Sequence, residues 1–299
     1  MKIACMGNTA YDCTVSGDTF LMEGVRNSFD NAIFSVGGPT SNAASVLAKF
    51  GNYVDFYGQI GNDENGKKVY KEMYRENINL NHLNISNDVI TPFSFVIINT
   101  SDSTRTICSV RSKSDFKQAK IQTIEYENDY DFILTDGKYV QDAINLIEKN
   151  PQAISIIDAG RVIEGILNLC NRVNYIICSE DFANEVTGEI IDDNYVNNVR
   201  IFRKMQSLFP KAKEIAITIG KRGYICEKNS EVIIMPSYDS GLKAIDTNCA
   251  GDIFHGAFTH ALAQGNSYHE SLEFANVTAS LSTTLTSLAN LLFSLILSL

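Results

Sequence analysis

Four short apolar runs, Phe132–Leu134, Ile154–Ile157, Tyr175–Ile177 and Ile215–Ile219, recur through the chain, each followed by a helical or turn segment. The same rhythm opens the sequence. Ile3–Met6 reads as a strand ending at Gly7, and Val54–Tyr57 as another. Ser41–Phe50 reads as a helix with Ala43, Ala44, Val46, Leu47 and Ala48 on its packed side and Gly51 as its stop. Gly66–Glu76 reads as an amphipathic helix. Strands alternating with helices predict an α/β protein with a largely parallel central sheet. At 299 residues there is room for one large domain or two smaller ones, and for a core that needs no metal or disulfide.

Two stretches break the rhythm. Cys13–Val36 carries period-two apolar residues with turn residues between them. Phe93–Ile98 and Thr106–Val110 flank a turn at Asn99–Arg105 and predict a β-hairpin. Hairpins inserted into an α/β core either decorate an edge or form a small sheet over a site.

Charge and cysteine content narrow the partners. Lys and Arg number 25 against 35 Asp and Glu, a net charge of −10. That balance argues against general nucleic-acid or anionic-membrane binding but leaves room for a local phosphate pocket. The seven cysteines include no C-x-x-C pair, which speaks against a disulfide framework or a zinc site and fits a reducing cytosol. No apolar signal core follows Met1, so a cytoplasmic location is expected. The apolar stretch Leu291–Leu299 falls far short of the ~20 residues that span a bilayer, so no membrane partner is expected.

Three motifs carry chemistry. Asp246-Thr247-Asn248-Cys249-Ala250-Gly251-Asp252 precedes an apolar-periodic helix over 253–263. Small residues at Ala250 and Gly251 let backbone approach a ligand, and a helix start there points unpaired N–H groups at an anion. A carboxylate beside an anion pocket needs a purpose, such as accepting a proton from an attacking hydroxyl; a simple helix cap at Asp252 fits the spacing as well. Gly37-Gly38 followed by Asn42 marks a close backbone approach with an amide in the first helical turn, or merely a glycine turn. Thr218-Ile219-Gly220-Lys221-Arg222-Gly223 ends a strand in a Gly-x-x-Gly turn, either a nucleotide contact or a hairpin into Tyr224; no Walker A loop occurs.

In this order and separation the three motifs resemble the ribokinase/PfkB carbohydrate kinase family, from Gly7 to about Leu281. Gly37-Gly38-x-x-x-Asn42-x-Ala44 through Gly51 is similar to its N-terminal signature, and Asp246-Thr247-x-x-Ala250-Gly251-Asp252-x-Phe254-x-x-Ala257-Phe258 to its C-terminal one. The resemblance implies a single doubly wound domain over 1–299 with a small β lid built from about 13–36 and 93–110. It implies transfer of the ATP γ-phosphate to an alcohol of a sugar or nucleoside. Asp252 would be the general base, with the N–H groups of Cys249, Ala250, Gly251 and Asp252 as the anion hole. Asp12, Gly38 and Asn42 would hold the acceptor. Thr218, Gly220, Gly223 and Asn276 would line the nucleotide site. Mg²⁺ would accompany ATP, with Glu180 or Asp181 in its network, and Asp246 and Thr247 would lie near a potassium site in members that have one.

The chain departs from the family pattern in three places. Cys249 stands where a glycine is usual. Ser179-Glu180-Asp181-Phe182 replaces the usual N-x-x-E before Thr187-Gly188. Leu285–Leu299 is Ser/Leu-rich with neither Gly nor Pro. A neutral sugar is the first acceptor class and a nucleoside the second; Arg105, Arg111 and Lys113 offer cations to an acidic acceptor, or form a solvated hairpin face. A non-catalytic sugar- or nucleotide-binding regulator is the third reading. The Phe, Ile and Val of the lid predict a homodimer through its outer faces.

Overall fold

The structure, a computed structural model, describes residues 1–18, 21–29, 31–101, 104–110, 120–121 and 124–284. Arg111, Lys113 and the tail 285–299 lie outside the described residues. The first half runs β1 (Lys2–Met6), β2 (Ala10–Gly17), β3 (Ala32–Gly37), α1 (Pro39–Lys49), β4 (Tyr53–Gly61), α2 (Glu64–Arg75), β5 (Leu83–Ser86), β6 (Phe93–Asn99), β7 (Thr104–Val110). The second runs β8 (Phe132–Thr135), α3 (Val140–Lys149), β9 (Ile154–Ala159), α4 (Ile166–Cys170), β10 (Tyr175–Ser179), α5 (Glu180–Thr187), α6 (Tyr195–Leu208), β11 (Glu214–Thr218), β12 (Tyr224–Lys228), β13 (Glu231–Met235), α7 (Ala250–Ala263), α8 (Tyr268–Ser282).

Nine strands form one sheet in the order β13-β12-β11-β10-β9-β8-β1-β4-β5. The seven from β11 to β5 are parallel, and β12 and β13 add an antiparallel edge. The apolar runs are continuous because the strands are buried on both faces. In β1, Ala4 and Met6 enter one core with Leu146, Leu169 and Phe202 of α3, α4 and α6. Ile3 and Cys5 enter the other with Leu47, Met73, Phe258 and Leu272 of α1, α2, α7 and α8. The winding direction reverses at β1, which has β4 on one side and β8 on the other. In such sheets the crevice at the carboxyl ends of the strands, beside that reversal, is where ligands bind.

The hairpins form a separate four-stranded sheet, β3-β2-β6-β7, with β2 and β6 parallel. The lid therefore begins at Ala10, three residues before the break in rhythm at Cys13, because Ala10-Tyr11-Asp12 pairs with Ser35-Val36-Gly37. Helix α7 is buried nearly all round. It rests on α1 at Gly256, where a Cβ would stand 2.8 Å from the Ala43 carbonyl oxygen. That close approach is what brings the two signature motifs together. Among the described residues no helix is long and apolar enough to cross a membrane.

Candidate active site

Helix α1 starts with Pro39 in its first turn, preceded by Gly38 at φ 99°, a conformation that disfavours any side chain. A Cβ on Gly38 would also lie 2.8 Å from the Asn8 carbonyl oxygen. Gly38 thus serves through its backbone, holding the start of α1 against the loop after β1. One turn in, the Asn42 side-chain amide donates to Asp252 Oδ2 at 2.7 Å and lies 3.1 Å from Cys249 Sγ. The two signatures meet in a direct hydrogen bond.

Asp252 sits in the first turn of α7, half-buried. Its carboxyl is pushed up to about 7. Burial is the main cause and the Asp158 carboxylate adds to it, while the Asn42 hydrogen bond, His255 and Arg105 pull the other way. Among the described residues the N–H groups of Cys249, Ala250, Gly251 and Asp252 have no hydrogen-bond partner; the first amide of this turn with one is Ile253, to the Cys249 carbonyl. Cys249 caps the helix at φ 61°, ψ 2°, the left-handed region that costs a residue with a side chain roughly 1–2 kcal/mol. Its thiol is pushed well above the usual range by burial and by the Asp252, Asp12 and Asp246 carboxylates, with Arg105 opposing. It is therefore no thiolate nucleophile.

Asp12 faces the same space from β2. It is 9% exposed, and its Oδ1 has no hydrogen-bond partner among the described residues. Burial raises its carboxyl, opposed by a hydrogen bond from the Ser94 side chain. Gly37 makes room for it, since a Cβ there would stand 1.9 Å from Asp12 Oδ2. From the lid strand β7, Arg105 Nη1 donates to the Thr247 carbonyl at 3.0 Å. Asp246 Oδ1 accepts from the Asn248 N–H, and the Asp246 N–H reaches the Thr283 carbonyl.

A second group lines the ends of β10 and β11. Thr218 Oγ1 donates to the Cys178 carbonyl at 3.2 Å. Gly220–Arg222 form a 3₁₀ turn, and beside Gly220 lies open space. Gly223 closes that turn against β13, where a Cβ would collide with the Met235 carbonyl oxygen. Asn276 on α8 donates to the Pro236 carbonyl at 2.9 Å and accepts from the Tyr238 N–H, so it ties down the loop after β13. Glu180, at the start of α5, accepts from Arg222 at 2.6 Å. One guanidinium thus stands on Glu180 and another on the Thr247 carbonyl.

Two neighbours of Asp252 escaped the sequence reading. Asp158 ends β9, and His255 lies inside the apolar-periodic helix. The available signal was the position of Asp158, the one charged residue of β9, near its carboxyl end.

A helix N-terminus with open amides beside a carboxylate of elevated proton affinity suits one class of enzyme, phosphotransferases that act on an alcohol. Comparison with known proteins gives that class its name. Residues 1–292 match the model of the pfkB family of carbohydrate kinases, and the chain belongs to that family. Such kinases phosphorylate sugar hydroxyls, and the ribokinases among them use ATP. A ribokinase of Haemophilus influenzae is 24% identical over 291 residues, covering 94% of this chain and 92% of that protein. The fold matches ribokinase from Cryptococcus neoformans in complex with ADP, at TM-score 0.81 and 17% identity over 100% of this chain and 99% of that one. It also matches Arabidopsis thaliana ribokinase complexed with ribose and ATP, at TM-score 0.75 and 21% identity over 96% and 93%.

Proposed function

We propose that this chain transfers the γ-phosphoryl group of ATP to a hydroxyl of a small neutral sugar, ribose- or fructose-like, with Asp252 as general base. The observation that carries this reading is the Asn42–Asp252 bond beside the unpaired amides of 249–252. A proton acceptor near pH 7 in affinity stands next to an anion pocket, as an attacking alcohol requires. Asp252 takes the hydroxyl proton while the amides hold the migrating phosphoryl oxygens. Asp12, with its unpartnered Oδ1, accepts hydrogen bonds from neighbouring hydroxyls of the sugar. The lid sheet covers the site and keeps water from competing.

ATP lies along Thr218, Gly220 and Gly223 in this reading, and the loop held by Asn276 forms the adenine wall. Mg²⁺ would come with the nucleotide, held largely by phosphate oxygens and water, and would supply charge neutralisation there. Arg105 on the Thr247 carbonyl puts a fixed positive charge where a potassium ion would bind, so no monovalent ion enters the reading. Exposed Ile33, Phe34, Ile107 and Val110 on the lid support a homodimer through that sheet. A cytoplasmic enzyme fits the free state of all seven cysteines.

An ADP-release assay over a panel of sugars and nucleosides tests the reading. Sugar-dependent turnover that Asp252→Asn abolishes supports it. Turnover confined to nucleosides makes this a nucleoside kinase. Tight sugar binding without turnover makes it a regulator, a reading that the Glu180–Arg222 ion pair favours.

A further inference from the structure

One turn beyond Asp252 on α7 lies His255, 3% exposed. Its Nδ1 is 2.6 Å from the Gly251 carbonyl oxygen and its Nε2 is 3.1 Å from the Ile177 carbonyl oxygen on β10. Nε2 is also 3.4 Å from Asp158 Oδ1, at the carboxyl end of β9. A carbonyl oxygen accepts a hydrogen bond and cannot donate one. A ring bearing a single hydrogen would set a lone pair against one of these two carbonyls, in a place that water does not reach. Hydrogen on both nitrogens satisfies every contact, and Asp158 then stands as the counter-ion. The Gly251 carbonyl belongs to the same peptide unit as the Asp252 N–H. A donor on that oxygen polarises the amide and strengthens its hold on an anion.

We propose that His255 and Asp158 are positioning residues for phosphoryl transfer: the imidazolium clamps the first turn of α7 to β10, and the Asp158 carboxylate holds it there as its counter-ion. This rests on Asp252 being the general base. Among the described residues, the groups that act on Asp252 include Asp158 from β9, His255 from α7 itself, Arg105 from the lid strand β7, the Cys249 thiol at the cap, and the uncharged Asn42 amide from α1. Asp158 in turn faces His255 and Asp136, the latter just past β8. Asp158 and His255 act on Asp252 in opposite directions, which gives the pair a signature. Removing the Asp158 charge should lower the pH at which Asp252 ionises, and removing the His255 charge should raise it.

The test is the pH dependence of kcat and KM for the wild type, Asp158→Asn, His255→Gln and Asp252→Asn. In Asp158→Asn the acid limb of kcat/KM should move down by about one pH unit, and in His255→Gln up by about as much. His255→Gln should also lower kcat about 10- to 100-fold with KM within about threefold. Variants that keep their fold and lose rate without moving the limb would make the pair a packing feature and overturn the proposal. Activity surviving in Asp252→Asn would sink the reading of the base instead, which separates the two failures. A measurement on the unmodified protein covers variants that do not fold: ¹⁵N shifts of labelled His255 should show both ring nitrogens bearing hydrogen under assay conditions. A neutral tautomer there overturns the proposal.

Discussion

The parallel sheet carries a cluster of polar side chains at each end of its strands, and the two ends treat their carboxylates differently. At the amino end Asp55 is fully buried. One of its oxygens accepts from Asn79, and the other from the Tyr130 hydroxyl at 2.8 Å with the Lys2 ammonium 3.8 Å away. Lys2 also meets Glu127 and Asp129, and Glu127 meets His82, which stacks on Tyr57. Asp55, His82 and Glu127 are residue types that hold metals, but the Lys2 ammonium already lies against both of those carboxylates. At the carboxyl end, among the described residues, Asp12 keeps an oxygen without a partner, burial pushes the Asp252 carboxyl up, and the amides of 249–252 carry no hydrogen bond. A cluster whose hydrogen-bonding capacity is spent holds structure; one with capacity left over is waiting for a ligand.

The sharpest way to break this contrast is Asp252→Asn. It should lower kcat about 10³-fold while acceptor binding survives, measured by ADP release and calorimetry. In the wild type the rate should rise with pH through about 7, because the base must be ionised. The same substitution should stabilise the fold. The carboxyl is raised from its usual value, so ionising it costs the native state more than the unfolded one. The gain should be on the order of 2 kcal/mol at pH 8, after discounting for partial exposure, and should fade as the pH falls from 7 toward 4 in melting experiments.

Asp55→Ala should do the reverse, costing about 3 kcal/mol of stability by stranding Tyr130, Asn79 and Lys2, with kcat and KM little changed. Asp12→Asn should lower kcat/KM about 10²-fold without that loss of stability. If Asp12→Asn melts the protein as Asp55→Ala does, the two ends are not different in kind. The smallest effect belongs to Cys249→Gly, which should add roughly 1 kcal/mol of stability by relieving the left-handed backbone, with activity nearly unchanged.

Much of the fold was legible because strands buried on both faces leave apolar runs, which their short length and flanking turn residues set apart from buried helices. Helix α1 came within two residues, its start at Pro39 rather than Ser41. Strand order was not legible, since nothing local says that β8 pairs with β1 on the side away from β4. At the site, the spacing of small residues and acids singled out Asn42 and Asp252 but not the bond between them. Glu180 read as a metal-network candidate, and its ion pair with Arg222 was not legible because that partner comes from another element. His255 was invisible for a similar reason. Inside an apolar helix a histidine carries no periodic signal, and the three oxygens around it come partly from two other strands.

The bond between Asn42 and Asp252 also has a history within each molecule. Its two ends are 210 residues apart, so at ordinary ribosomal speeds the amide waits roughly 10–40 s for its carboxylate to be made. Through that interval a nascent chain has its strands but lacks α7 and the carboxylate proposed as its base. An interrupted translation product ending before α7 would therefore be inert toward sugar, and would display the uncovered sheet face by which quality-control machinery recognises unfinished chains.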